Sequence, residues 1–174
     1  MISLLALYVM RLSLLSTANG TNMCGTRNPT KDEVNDAREV AKLWIESVGQ
    51  TTIGNQTVTI DTVWHRITSG DQGNSEDDVT NSMVVLNNAF APHFKFNLIK
   101  NTVSDQRHFW DSPSFSDGGM RMHLHEGNCS TLNIYSTKLM KAGYAEFPPS
   151  CAYNNRMDGV VINYNTVPGG ADSM

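Results

Sequence analysis

The sequence predicts an α/β domain, a β-sheet with helices packed on it, from three observations. Apolar and polar residues alternate over residues 57–68, which is typical of a strand. Apolar residues then recur at helical spacing over residues 76–91, and Pro92 ends that pattern. Three short strand-like runs follow, at residues 132–135, 143–147 and 160–164. Helix and strand alternate first and strands cluster later, an order that favours helices covering a sheet.

The first 18 residues have the features of a signal peptide. An apolar run is interrupted by Arg11 and resumes, and Ser16-Thr17-Ala18 places small residues where a signal peptidase cleaves. Because no Lys or Arg precedes the apolar run, a buried N-terminal helix is the alternative interpretation. We expect export of the chain, and therefore a secreted, extracellular protein.

Residues 19–56 form a separate N-terminal segment with one predicted helix. Thr30 precedes Lys31-Asp32-Glu33 and so resembles an N-cap followed by acidic residues in the first turn. Apolar residues then recur at helical spacing up to Gly49. Residues 50–56 are a polar linker, and residues 57–174 form the main domain.

The remaining segments of the main domain are shorter and less regular. Residues 69–75 are rich in Gly, Asp and Asn and predict a loop, and residues 94–98 alternate as a second strand. Residues 111–119 contain a proline and a glycine pair, so we predict a loop there as well. Residues 120–126 predict a short helix that a Gly-Asn pair ends. The ordered pattern stops at residues 168–170, Pro-Gly-Gly.

Length and charge limit the classes of function. The 174 residues suit one domain, and the net charge of −4 argues against a nucleic-acid or anionic-membrane binder, which needs a basic face. After the N-terminus, no apolar run reaches the roughly 18 residues that a membrane span requires. Three cysteines are too few for a fold built on disulfides. Neither a nucleophile-elbow motif, a P-loop nor a dinucleotide fingerprint is present.

One cluster of titratable residues comes close to a metal motif. His125-Glu126-Gly127-Asn128-Cys129 has Cys where a zinc-binding H-E-x-x-H has its second His, and His123 is near. That motif requires a continuous helix to bring both ligands to one face, and a Gly-Asn pair ends helices. We therefore expect a surface helix end rather than a metal site. His65, among apolar neighbours in a strand, is expected to be a hydrogen-bonded histidine of the sheet rather than a ligand.

Export would make N-glycosylation sequons usable. Asn55-Gln56-Thr57 and Asn128-Cys129-Ser130 both fit the acceptor pattern, so Asn55 and Asn128 are candidate glycosylation sites. A third sequon at Asn19 lies too close to the expected cleavage point.

Several segments, in order from Cys24 to Gly170, resemble the N-terminal half of the catalytic domain of pappalysin-type zinc metallopeptidases, secreted enzymes of the metzincin group. The segments are Cys24-Gly25-Thr26, Val63-Trp64-His65-Arg66-Ile67, Ser69-Gly70, Val85-Leu86-Asn87-Asn88-Ala89-Phe90, Phe94-Lys95-Phe96, Gly127 with residues 130–135, Gly143-Tyr144-Ala145-Glu146-Phe147-Pro148, Asp158-Gly159-Val160-Val161-Ile162, Tyr164 and Pro168-Gly169-Gly170. The resemblance implies a zincin-like N-terminal subdomain: a twisted mixed sheet of about four or five strands with a backing helix. It further implies that residues 143–147 form the edge strand that pairs with extended substrate.

In that family, the Pro-Gly-Gly is followed by the zinc helix H-E-x-x-H-x-x-G-x-x-H, whose histidines bind zinc and whose Glu activates the attacking water. The chain stops at Met174, before this motif. The resemblance therefore carries over no catalytic residue and no zinc ligand, and we expect the chain to be truncated before the zinc helix. Zinc is the cofactor of the full-length family, and none is expected for this chain.

The resemblance makes residues 19–56 propeptide-like and suggests one surviving role, for Cys24. A propeptide Cys thiolate in this family occupies the zinc, and Cys24 stands where such a latch would be. The alternative is a disulfide from Cys24 to Cys129 or Cys151, whereas a Cys129–Cys151 disulfide would leave Cys24 free; sequence does not decide between them.

Two classes of function are consistent with this resemblance. The chain is either part of a metalloendopeptidase that hydrolyses protein or peptide substrates and is inactive alone, or a non-catalytic secreted binding or decoy domain.

Overall fold

The described residues of the computed structural model form a five-stranded mixed sheet. They comprise residues 26, 28–32, 34–35, 38–39, 57–111, 113–128, 130–145 and 155–171. The strands are β1 (Val58–Thr68), β2 (Phe94–Asp105), β3 (Leu132–Thr137), β4 (Gly143–Ala145) and β5 (Val160–Asn163), in the order β2-β1-β3-β5-β4. All neighbours are parallel except β4, which is antiparallel to β5. The predicted mixed sheet is confirmed.

Three α-helices follow β1 in the described residues: α1 (Glu76–Phe90), α2 (Arg107–Asp111) and α3 (Pro113–Leu124). Short 3₁₀ turns cover Asn155–Met157 and Tyr164–Thr166. None of these helices is long and apolar enough to cross a membrane. Helix α1 begins at a capping box in which the Ser75 hydroxyl accepts from Asp78 N while the Asp78 carboxylate accepts from Ser75 N. It ends just before Pro92, as predicted.

The sheet has an apolar core on each side, because successive side chains of a strand point to opposite faces. Helix α1 covers one side, the α1 face, which is the cluster Trp64, Val79, Met83, Phe96, Leu132, Ile134 and Val167. Helices α2 and α3 cover the other, the α3 face, which is the cluster Ile67, Phe109, Trp110, Met120, Tyr135 and Val161. Trp64 and Ile67 show how β1 contributes to both.

A β-bulge in β2 changes which residues reach each face. Thr62 of β1 pairs with Leu98, but the next residue, Val63, pairs with Lys100, so Ile99 is an extra residue in β2. Up to Leu98 the even-numbered residues of β2 face α1; after the bulge they face α3. Lys100 is therefore kept out of the apolar α1 face.

The predicted loop at residues 111–119 is wrong. Asp111 completes α2, and residues 113–119 form the first half of α3. The short helix predicted from residue 120 is therefore the second half of a longer helix that ends at Leu124. Pro113 is the first residue of α3, where its missing N–H would have no intrahelical partner. Gly118 and Gly119 each cost about 1 kcal/mol in a helix. The complete burial of Met120 in the α3 face offsets this cost.

Other predictions agree with the structure or fall outside its described residues. Val34 N donates to the Thr30 carbonyl at 3.1 Å, and the described residues between 31 and 39 are helical, as expected from a helix starting after Thr30. The signal peptide, Cys24, Asn55, Cys129, Cys151 and residues 146–147 lie outside the described residues.

Candidate functional site

Strand β4 forms one edge of the sheet and presents backbone groups away from its neighbour. Asn163 N donates to Ala142 O at 2.8 Å, so the backbone groups of Ala142 point toward β5. In an antiparallel pair this direction alternates along the strand, and those of Gly143 and Ala145 therefore point away from β5. Among the described strands, none lies on that side. We call this row of outward backbone groups the β4 edge.

A residue from the N-terminal segment lies against the β4 edge. Ala145 N donates a hydrogen bond of 2.9 Å to Thr26 Oγ1, a contact between residues 119 positions apart in the chain. Thr26 is the third residue of Cys24-Gly25-Thr26, the first of the segments singled out in the sequence. The structure thus brings this motif to the edge strand, although Cys24 itself is outside the described residues.

Strand β4 approaches β5 closely at Gly143. A Cβ atom on Gly143 would lie 2.7 Å from Val161 O and 3.2 Å from the Cα of Ile162. Any larger residue at position 143 would push β4 away from β5. The neighbouring Tyr144 packs its side chain on the α3 face, which fixes the strand from the other direction.

His65 occupies the α3 face of β1 and is only 1% exposed. Its Nδ1 lies 2.9 Å from Thr102 Oγ1 and its Nε2 lies 2.9 Å from Asn133 Oδ1. The ring stacks on Tyr135 with centroids 4.7 Å apart. The prediction of a hydrogen-bonded sheet histidine is confirmed, and burial lowers the pKa of His65.

Asn133 joins this histidine to the loop that follows α3. Its Nδ2 donates to the carbonyls of Glu126 and Thr131, and its Oδ1 accepts from Glu126 N at 3.0 Å. The carboxylate of Glu126 forms an ion pair with Lys100 at 2.7 and 2.8 Å. The buried side-chain amide of Asn133 therefore fixes this loop at both ends, at Glu126 and at Thr131. Sequence reasoning overlooked Asn133 and Lys100, because no local pattern marks either residue.

The near-miss metal motif does not form a ligand set in the described residues. Helix α3 ends before His125, His123 is exposed, and the Glu126 carboxylate is committed to Lys100. No three His, Cys, Asp or Glu side chains of the described residues are placed to hold a metal ion, and Cys129 is not among those residues. The described residues of this motif therefore provide no set of ligands for zinc.

A second polar group near the end of α3 contains Asp158, which the sequence motif did not include. Burial lowers the pKa of His125, while the charge of Asp158 raises it. Burial raises the pKa of Asp158, against the opposing influence of Gly159 N, His125 and Arg121. Gly159 N donates to Asp158 Oδ1 at 2.8 Å. His125 and Asp158 therefore each favour the charged form of the other at the end of α3.

The chain is homologous to fungal proteins named extracellular metalloproteases. It is 34% identical over 132 residues to one from Arthroderma benhamiae, covering 72% of this chain and 44% of that protein. A protein of the same name from Arthroderma otae is 31% identical over 176 residues, covering 92% of this chain and 63% of the relative. The chain thus spans about half the length of the curated relatives it matches. No protein-family profile matches it.

A solved structure shares the fold. A promirolysin mutant from Tannerella forsythia superposes with a TM-score of 0.54 at 19% identity, covering 83% of this chain and 60% of that one.

Proposed function

We propose that this chain is the sheet and backing-helix part of a secreted zinc metalloendopeptidase of the pappalysin type, a metzincin. Two observations support the proposal: the homologues named extracellular metalloproteases, and the mixed sheet with α1 packed across it. The activity proposed for the whole enzyme is hydrolysis of peptide bonds in protein or peptide substrates. Zinc would supply an activated water for that reaction.

We assign no catalytic residue to the 174 residues. A metzincin binds zinc through H-E-x-x-H-x-x-G-x-x-H, and this motif does not occur in the sequence. The cluster at the end of α3 does not replace it, for the reasons of geometry given above. The contribution of this chain to the proposed reaction is therefore to position substrate rather than to perform chemistry.

A more specific part of the proposal, the role of the N-terminal segment, rests on the hydrogen bond from Ala145 N to Thr26 Oγ1. An extended peptide can bind a sheet edge by adding a strand to it, with main-chain hydrogen bonds providing affinity. The β4 edge is such a surface, and Thr26 Oγ1 accepts from one of its outward-pointing donors, the N–H of Ala145. We infer that residues 19–56 act as a propeptide that covers the substrate edge, and that Cys24, two residues before Thr26, is the latch that binds the zinc of the whole enzyme.

The transcript beyond the Met174 codon tests this proposal. An in-frame H-E-x-x-H-x-x-G-x-x-H is expected there, and the longer product should bind zinc and cleave an unstructured protein such as casein. Replacing the Glu of that motif by Gln should abolish cleavage while zinc stays bound, because the Glu activates the water and is not a ligand.

Two results would contradict the proposal. One is the finding that no transcript encodes H-E-x-x-H-x-x-G-x-x-H after the Met174 codon. The other is a longer product that binds zinc but cleaves no peptide bond. Either result would favour the non-catalytic secreted binding or decoy domain.

A further inference from the structure

The turn between α3 and β3 presents a sequon at the surface of the folded chain. Both Asn128 and Ser130 are exposed, and they follow Gly127, which adopts the left-handed conformation with φ +79°. Asn128 O accepts from Thr131 N at 2.8 Å, which closes the turn. The acceptor residue of the sequon thus lies at the tip of a tight turn rather than in a helix or a strand.

The side chain of Asn128 is oriented by its own turn. Its Oδ1 accepts from Ser130 N at 2.8 Å, which is an Asx-turn. With the oxygen engaged in this way, the amide nitrogen points away from the turn. Among the described residues, no atom accepts a hydrogen bond from that Nδ2. A substituent on Nδ2 therefore displaces no hydrogen bond between the residues that the structure describes.

The base of the turn is fixed even though its tip is exposed. Asn133 holds the backbone of Glu126 on one side and the carbonyl of Thr131 on the other. Gly127 is packed so closely that a Cβ atom there would lie 2.3 Å from Thr131 Oγ1. A bulky group on Asn128 is therefore carried outward by a turn whose attachment to the core does not depend on the Asn128 side chain.

We propose that Asn128 carries an N-linked oligosaccharide in the exported protein. The donor is a lipid-linked oligosaccharide diphosphate. The bond from sugar C1 to the diphosphate oxygen breaks, its electron pair leaves on the diphosphate, and a bond from Asn128 Nδ2 to C1 forms as Nδ2 loses one proton to a base of the transferring enzyme. This inference requires export of the chain but is independent of the proposed proteolysis. Cys129, the middle residue of the sequon, needs only to be different from Pro.

The proposal is tested by translating the full chain in the presence of microsomes, with a host secretion leader added in front so that import does not depend on residues 1–18. Import is measured as protection from added protease, and glycan as a mobility shift that an endoglycosidase reverses. Glycan transfer in this assay does not require the variant to fold.

The variants separate the Asn128 site from the Asn55 site. Asn128→Gln and Ser130→Ala should each remove one oligosaccharide from imported chain, whereas Ser130→Thr and Cys129→Ser should keep it. Asn55→Gln should leave the Asn128 glycan in place. Ser130→Ala keeps the backbone N–H that forms the Asx-turn, so its loss of glycan reports the hydroxyl alone.

The folded state is tested on wild-type protein secreted from a eukaryotic host. An amidase that removes the glycan in ¹⁸O-water should label position 128 without prior denaturation, because this residue is exposed. Imported wild-type chain whose Asn128 peptide is unmodified, or a Ser130→Ala chain that loses no oligosaccharide, would overturn the proposal.

Discussion

His65 Nε2 donates a hydrogen bond of 2.9 Å to Asn133 Oδ1, and the other hydrogen bonds of the Asn133 amide determine this direction. Glu126 N donates to the same Oδ1, and Asn133 Nδ2 donates to two carbonyls, so the amide orientation is fixed. The atom facing Nε2 is therefore an acceptor. Because burial lowers the pKa of His65, its ring is neutral at pH 7.5 with the proton on Nε2, and its Nδ1 accepts from the Thr102 hydroxyl.

Replacing His65 by Ala should lower the free energy of unfolding by about 2–3 kcal/mol, because the buried acceptor of Asn133 loses a donor and the stacking on Tyr135 is lost. Urea unfolding of the purified chain measures this change. His93→Ala is the matched control, since His93 is exposed and should change stability by less than about 0.5 kcal/mol. Equal effects of the two variants would contradict the role assigned to His65.

Stability should fall as the pH drops from 7.5 to 5.5. Burial lowers the pKa of His65 and of His125, so in this range the unfolded chain binds protons that the folded chain does not. The stabilisation is present above the unfolded pKa of about 6.5 and is lost progressively below it. Asp158 has a raised pKa and acts in the opposite direction as its carboxyl becomes protonated.

The midpoint of urea unfolding at the two pH values measures this dependence. His65→Gln, which cannot be protonated, should show a smaller loss than wild type, and the loss that persists is assigned to His125. A His65→Gln variant with the full wild-type pH dependence would show that His65 does not contribute.

Deleting Ile99 should be tolerated, with a loss of less than about 2 kcal/mol, since Lys100 then follows Leu98 directly and every later residue of β2 keeps its partner and its face. Lys100 would still pair with Val63 and keep its ion pair with Glu126. Ile99→Thr retains the bulge at a site that is 54% exposed, and its effect should stay within about 0.5 kcal/mol. Thermal unfolding followed by circular dichroism measures both variants. A deletion that prevents folding while the substitution is tolerated would show that the later residues of β2 need the bulge to keep their positions.

Thr26→Val should accelerate hydrogen exchange of the Ala145 amide by roughly threefold to tenfold, because a net hydrogen bond is worth about 1 kcal/mol and valine keeps the shape without the acceptor. NMR exchange on the labelled chain measures it. Thr57→Val serves as control, since the Thr57 hydroxyl donates to Pro92 O at a different part of the sheet. If both variants leave Ala145 exchange unchanged, the N-terminal segment does not protect the β4 edge in solution.

The purified 174-residue chain should retain no stoichiometric zinc after dialysis. A catalytic zinc requires three protein ligands at roughly 2.0–2.3 Å and one open position, and the described residues contain no group of three His, Cys, Asp or Glu side chains placed to supply them. Metal analysis of wild type, His125→Ala and Cys129→Ala measures the content. One zinc per chain that disappears in both variants would establish a metal site at the end of α3.

The parts of the fold that the sequence predicted depend on local patterns. Helix α1 carries its own start and stop signals, Ser75 with Asp78 at one end and Pro92 at the other, and β1 alternates along its length. The first half of α3 was predicted as a loop because its proline and its glycine pair oppose helix formation. The burial of Met120 against the sheet, which compensates for them, is a tertiary effect.

The candidate site was predictable only in outline. The resemblance marked residues 143–147 as an edge strand, and β4 is at the sheet edge. The contact of Thr26 with Ala145 and that of His65 with Asn133 join residues far apart in the chain. Contacts over such separations produce no periodic pattern in the sequence, so both could be found only in the folded structure.

The separation of Thr26 from Ala145 has a consequence for biosynthesis. The chain is synthesised from its N-terminus, so Thr26 is made 119 residues before the amide that it contacts. That amide points to Thr26 only after β4 has paired with β5, and the parallel strands form slowly because each needs a long crossover. Docking of the N-terminal segment is therefore a late event in maturation. A nascent chain that stalls before β5 has no complete β4 edge for the N-terminal segment to cover. The Thr26–Ala145 contact would therefore distinguish fully folded molecules from incomplete ones.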